Sequence, residues 1–96
     1  MRVPIEHEAG RFVARVDGVE AFLVYERTGA VLDVVQTFTP PALRGRELAA
    51  QLTAAVVAYA QAEGCKIRPT CAYTRAYIER HPELHALSEG SAGASD

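Results

Sequence analysis

The apolar and polar positions of this chain change period partway along. From Arg11 to Val16 they alternate, with Phe12, Ala14 and Val16 on one face and Arg11, Val13 and Arg15 on the other. Asp17-Gly18 follows, and an Asp-Gly pair between alternating runs predicts a tight hairpin in which both turn residues take positive φ. Val19 to Arg27 alternates again, with Phe22 and Val24 opposite Ala21, Leu23 and Tyr25. Thr28-Gly29 marks a second turn, and Ala30 to Phe38, rich in Val and Leu, reads as a third strand. Strands joined by tight turns in this way form an antiparallel meander.

Thr39-Pro40-Pro41 ends the sheet pattern, because proline has no N–H to donate to a ladder. From Arg46 to Glu63 the apolar residues Leu48, Leu52, Ala55, Val56 and Tyr59 recur at spacings of three and four, which predicts a helix. Gly64 stands where a left-handed cap would end it. Lys66 to Thr70 is a candidate short strand, and the helix before it has the length of a crossover to parallel pairing. Ala72 to Arg80 reads as a second helix and Pro82 to Leu87 as a short third. Ser88 to Asp96 is small and polar and is expected to be a disordered tail. The expectation is one α/β (α+β) domain over residues 1–87.

Composition narrows the function more than the fold. A chain of 96 residues supports one domain. At this size roughly 60–65% of the unfolded surface is buried, enough for a core without metal or disulfide staples. The formal net charge of −2 leaves no basic stripe to neutralise phosphates, so no nucleic-acid partner is expected. Met1 to Gly10 holds no apolar stretch of signal-peptide type. Ala49 to Ala62 is interrupted by Gln51, Thr53 and Gln61 and is too short to span a bilayer, so no membrane partner is expected either. Cys65 and Cys71 are too few for a disulfide framework, and their spacing matches no common metal or redox motif. Together these point to a cytoplasmic chain with reduced thiols.

Two stretches carry candidate chemistry. Thr39-Pro-Pro-Ala-Leu-Arg-Gly-Arg-Glu-Leu-Ala49 places a glycine turn with two arginines between a strand end and a helix start. Free amides at a helix N-terminus suit a phosphate or pyrophosphate, and Arg44 and Arg46 can add contacts. The plainer reading is a strand-to-helix turn with solvated arginines. His81-Pro-Glu-Leu-His85 has the spacing of a metal pair, but Pro82 fits the first helical position and leaves His81 outside. With no third ligand in the sequence nearby, no metal site is expected.

The second stretch is Ile67-Arg-Pro-Thr-Cys71-Ala-Tyr73-Thr-Arg-Ala-Tyr77-Ile-Glu-Arg-His81-Pro82. With the arginine turn ahead of it, the chain from about Phe12 to Leu87 resembles the small single-domain GNAT-like N-acetyltransferases. The resemblance implies a minimal GNAT-like fold that binds acetyl-CoA and transfers its acetyl group to an amine, on a small molecule or a protein. The pyrophosphate would lie on Arg44, Gly45, Arg46, Glu47, Leu48 and Ala49. The pantetheine arm would run beside Phe38 and Thr39, where two parallel strands splay, with the acyl group toward Cys71.

Cys71 resembles the cysteine that small members carry at the acetyl end of the tunnel. Near a helix N-terminus its thiol is tilted toward thiolate, able to accept acetyl or to shuttle a proton. It reads equally as a small packing residue. Tyr73 matches the tyrosine that protonates the CoA thiolate in larger relatives, whereas Tyr77 reads as core and Cys65 as structural. Two positions depart from the family pattern. Gln36-Thr37 stands where relatives often have His-Thr, and glutamine is no base near neutral pH. Glu47 replaces a glycine of the phosphate turn, where its carboxylate opposes an anion. These departures keep two rival readings open: a CoA-binding or interaction module with weak or no turnover, and a thiol sensor built on Cys71. The acceptor and the oligomeric state leave no signal, although Phe12, Phe22 and Leu23 are candidates for an exposed apolar face.

Overall fold

A computed structural model describes residues 3–89 of the chain. Its elements are β1 (Ile5–Glu8), β2 (Arg11–Val16), β3 (Val19–Thr28), β4 (Val31–Phe38), α1 (Leu48–Glu63), β5 (Lys66–Pro69) and α2 (Ala72–Glu79). Short 3-10 segments cover Pro41–Leu43 and Pro82–Leu87. The strands form one sheet in the order β1-β2-β3-β4-β5, antiparallel through β4, with β5 parallel to β4.

The turns form for the reasons the sequence offers. Asp17 and Gly18 both take positive φ, at 52° and 79°, in the β2–β3 hairpin. Gly64, at φ 68°, ends α1: its N–H donates to Gln61 O at 3.3 Å, and the Cys65 N–H donates to Ala60 O at 2.8 Å. That reversal returns the chain to pair with β4, and the Lys66 N–H donates to Ala30 O at 2.8 Å.

The helix is shorter at its start than the periodicity predicts. It begins at Leu48, not Arg46, because Glu47 occupies the N-cap in a left-handed conformation, φ 60°. The third helix is a 3-10 segment led by Pro82, with His81 outside it. The meander gains a fourth strand, β1. Its four residues alternate, with Ile5 and His7 toward α1 and Glu6 and Glu8 away from it. A run so short and so charged gives no usable periodicity.

One face of the sheet carries the core. Leu48, Leu52, Val56 and Ala60 of α1 pack on Phe12, Ala14, Ala21, Leu23, Leu32, Val34 and Ile67, and Ile78 of α2 and Leu84 extend the cluster. Each large aliphatic side chain buried in this way contributes about 1.5–3 kcal/mol. Phe12 and Leu23 therefore lie inside, which removes them from the expected exposed face. Phe22 remains on the uncovered side, its ring 5.4 Å from that of Phe38, which is 40% exposed.

Val13 also points to the uncovered side yet is fully buried. It pairs with Glu6 and Phe22, and an ion-pair lattice surrounds it: Arg15 to Glu6, Glu8 and Glu20, and Arg11 to Glu8 and Glu20. At the far edge, Ser88 bridges to Ile67, the Glu89 N–H donates to Ile67 O, and the Glu89 carboxylate pairs with Arg68 at 2.6 Å. Positions 90–96 of the expected tail lie outside the described residues. No helix among the described residues is long and apolar enough to cross a membrane.

Candidate acyl-transfer site

Strands β4 and β5 part company partway along. Their pairing runs from Val31↔Lys66 to Val34↔Pro69, after which β4 continues to Phe38 without β5. The Cys71 N–H donates to Val34 O at 2.8 Å and closes the paired region. Beyond it, the β5 side of residues 35–38 carries no strand, and a gap of this kind at the carboxyl ends of parallel strands is where open α/β sheets receive ligands.

A β-bulge determines what faces that gap. Tyr25 pairs with Val34 but Val24 pairs with Gln36, so Val35 is an extra residue in β4. The bulge shifts the side-chain alternation by one. Thr37, opposite the buried Leu23, points to the helix-covered face, and Gln36, opposite Val24, points away. Thr37 Oγ1 lies 3.5 Å from Cys71 Sγ. Unbroken alternation through β4 would put Gln36 on the site's side; the bulge puts Thr37 there instead.

Cys71 is the N-cap residue of α2 and is partly buried. Burial pushes its thiol pKa up. The Thr37 hydroxyl first, then the amides of Thr74 and Tyr73, outweigh that and hold it below the usual cysteine value. The thiolate is therefore more readily formed here than in an ordinary cysteine. Cys65, by contrast, is 2% exposed under the end of α1, and its thiol donates toward Glu63 O.

Tyr73 and Tyr77 share a face of α2, ring centroids 6.4 Å apart, and Tyr77 stacks on His81 at 4.2 Å. Burial first, then Tyr73 and Glu83, push the Tyr77 hydroxyl up, and Tyr77 packs on the core cluster. His81 Nδ1 lies 2.7 Å from the Tyr77 carbonyl, which ties it to the end of α2. Among the described residues no three His, Cys, Asp or Glu side chains gather as a metal site.

The arginine turn follows directly from the same carboxyl end of β4. Phe38 is exposed and Thr39 half-buried, and Arg44 Nε donates to Thr39 O at 3.3 Å. Gly45 takes φ 83° and Arg46 is half-buried. Leu48 is a core residue, and the Ala49 carbonyl accepts from Thr53 Oγ1 at 2.8 Å. No side chain caps α1 and its first turn holds no acid, so its leading amides have no side-chain cap. Glu47, the residue just before it, is exposed.

A mixed sheet with a splayed parallel pair, an uncapped crossover helix behind an arginine turn, and a thiol at the second helix describe a class of acyl-transfer domain. The family model for GCN5-related N-acetyl-transferase matches residues 11–87, and the chain belongs to that family. Among similar proteins is Protein NATD1 of Danio rerio, 34% identical over 91 residues, covering 90% of this chain and 83% of that one. Protein NATD1 of Gallus gallus is 33% identical over 85 residues, 83% of this chain and 77% of its own length. That of Homo sapiens is 33% identical over 85 residues, covering 83% and 75%.

Proposed function

We propose that the chain is an N-acetyltransferase that moves acetyl from acetyl-CoA to an amine acceptor. The observation that carries this reading is the placement of Cys71: a thiol with a lowered pKa at the N-cap position of α2, where β4 and β5 separate. Acetyl-CoA would supply the activated acyl group as a thioester. Arg44, Arg46 and the uncapped start of α1 at Leu48 and Ala49 suit its pyrophosphate, and Gly45 leaves open space at the turn. Phe38 and Thr39 border the gap that the pantetheine arm would follow.

Within that site the chain contributes proton handling and orientation. The Cys71 thiolate takes a proton from the attacking amine or, in a two-step route, receives the acyl group on its sulfur. Tyr73, in the first turn of α2, is the candidate donor of a proton to the departing thiolate. Acetyl-CoA turnover without amine separates the routes, since a burst of free thiol marks acylation of Cys71. Two free cysteines fit a reducing compartment, and the cytoplasm is the proposed location.

Calorimetry tests the reading. Acetyl-CoA binding, with NMR shifts confined to Arg44–Ala49 and the Cys71 segment, supports it; no binding at about millimolar ligand, a level at which even contacts worth about 4 kcal/mol are visible, overturns it. The exposed Glu47 favours a second reading, a CoA-binding module with weak or no turnover. Binding with no thioester loss across a broad amine panel selects that alternative.

A further inference from the structure

Among the described residues two helical threonines are fully buried, and they behave differently. Thr53 in α1 donates its hydroxyl to the carbonyl four residues back, Ala49 O, at 2.8 Å. Thr74 in α2 is equally buried, yet its Oγ1 has no hydrogen-bond partner. The carbonyl it would use by the same rule, Thr70 O, receives Arg75 Nη2 instead. A buried hydroxyl left unpaired is costly and calls for a partner.

Position supplies that partner. Thr74 lies three residues after Cys71, and the side chains at N-cap and N3 of a helix face one another. Thr37 approaches the sulfur from β4 at 3.5 Å. In the neutral state the single S–H donates to Thr37 Oγ1 and leaves Thr74 without a role. A thiolate has no proton and accepts from both hydroxyls at once.

We infer that Thr74, with Thr37, is a positioning residue that holds the Cys71 sulfur as an anion between two hydroxyl donors, one from α2 and one from β4. The inference rests on the reading that Cys71 carries the chemistry, and it explains why a buried hydroxyl is kept free. Nearby charged groups are engaged elsewhere. Asp33 of β4 accepts from Thr70 Oγ1 at 2.5 Å and lies 3.8 Å from Arg68 of β5, and Arg75 of α2 donates to the Pro69 and Thr70 carbonyls. The lowered thiol pKa agrees, since uncharged donors there outweigh burial.

The test is the alkylation rate of Cys71 by iodoacetamide against pH in the full chain, with the modified cysteine identified by mass spectrometry. Thr74→Val and Thr37→Val should each slow alkylation about tenfold at neutral pH and move its midpoint upward, the effect of losing one hydrogen bond to a charged group. Thr74→Ser and Thr37→Ser, which keep the hydroxyl, should restore the profile. A valine variant with the parent profile, or a serine variant as slow as its valine counterpart, overturns the inference. If Thr74→Val does not fold by circular dichroism, Thr74→Ala against Thr74→Ser makes the same comparison. The readout needs no acetyl-CoA, so failure of CoA binding removes the proposed function while leaving this result to stand or fall separately.

Discussion

Thr37 of β4 lies opposite Leu23 of β3 on the helix-covered face, because Val35 is bulged out of the ladder just before it. The same bulge sends Gln36 to the uncovered face beside Val24. Gln36 therefore takes no part in whatever Cys71 does. Gln36→Ala should leave Cys71 alkylation and CoA affinity within about twofold of the parent, the usual range for a surface change. Gln36→His should behave alike, adding a base on the wrong side of the sheet. A tenfold change in either rate would mean that the strand alternates without the bulge.

Tyr25 anchors the edge strand. Its hydroxyl lies 2.6 Å from His7 Nε2, and the His7 ring stacks on Phe12 at 4.2 Å with Tyr59 edge-on at 4.5 Å. Burial, then Tyr59, pushes the Tyr25 hydroxyl pKa upward, so it stays protonated through neutral pH. Tyr25→Phe keeps the ring and loses the bond, and urea denaturation should show a cost of about 1 kcal/mol. Cys71 alkylation should not change. An unchanged stability would show that the pair does not tie β1 to the sheet.

Much of this architecture follows from short-range rules that act on the chain locally. Asp17-Gly18, Pro40-Pro41 and Gly64 each impose a backbone geometry by their own sterics, so the hairpin, the strand end and the helix stop are readable residue by residue. Strand β1 is not, because Ile5–Glu8 owes its place to partners elsewhere: Arg11 and Arg15 for its acids, Phe12 and Tyr25 for its histidine. At the site, the position of Cys71 at a helix start is legible from its motif. Its contact with Thr37 depends on a one-residue bulge that no local pattern announces. The orphaned Thr74 hydroxyl is a property of packing and is invisible before the chain is folded.

The ion pairs on the uncovered face and at the β5 edge give the chain a defined response to acid. Glu8 is held below the ordinary carboxylate range first by Arg15 and then by Arg11, and Glu89 is held down by Arg68. A carboxylate whose pKa is depressed by folding adds stability that is complete above its unfolded value, about 4.3, and is lost as pH falls through the folded value. Thermal midpoints should therefore hold steady from neutral pH and decline only in the acid range. Both carboxylates are partly open to solvent, so salt should blunt the effect. Glu8→Gln should flatten part of the decline, and a variant that kept the parent's acid profile would remove Glu8 from the account.

Glu47 sets backbone strain against charge at the turn before α1. Its left-handed conformation, φ 60°, costs a residue with a Cβ about 1 kcal/mol or more, whereas glycine adopts it freely. Glu47→Gly should raise stability by about 1 kcal/mol, read from urea denaturation, while Glu47→Gln, which retains the Cβ, should not. Both variants remove a carboxylate beside the uncapped start of α1, and both should tighten CoA binding if the pyrophosphate rests there. The gain should shrink as salt is raised, since it comes from exposed charge. A glycine variant that is stabilised while neither variant binds CoA more tightly would place the pyrophosphate away from this turn.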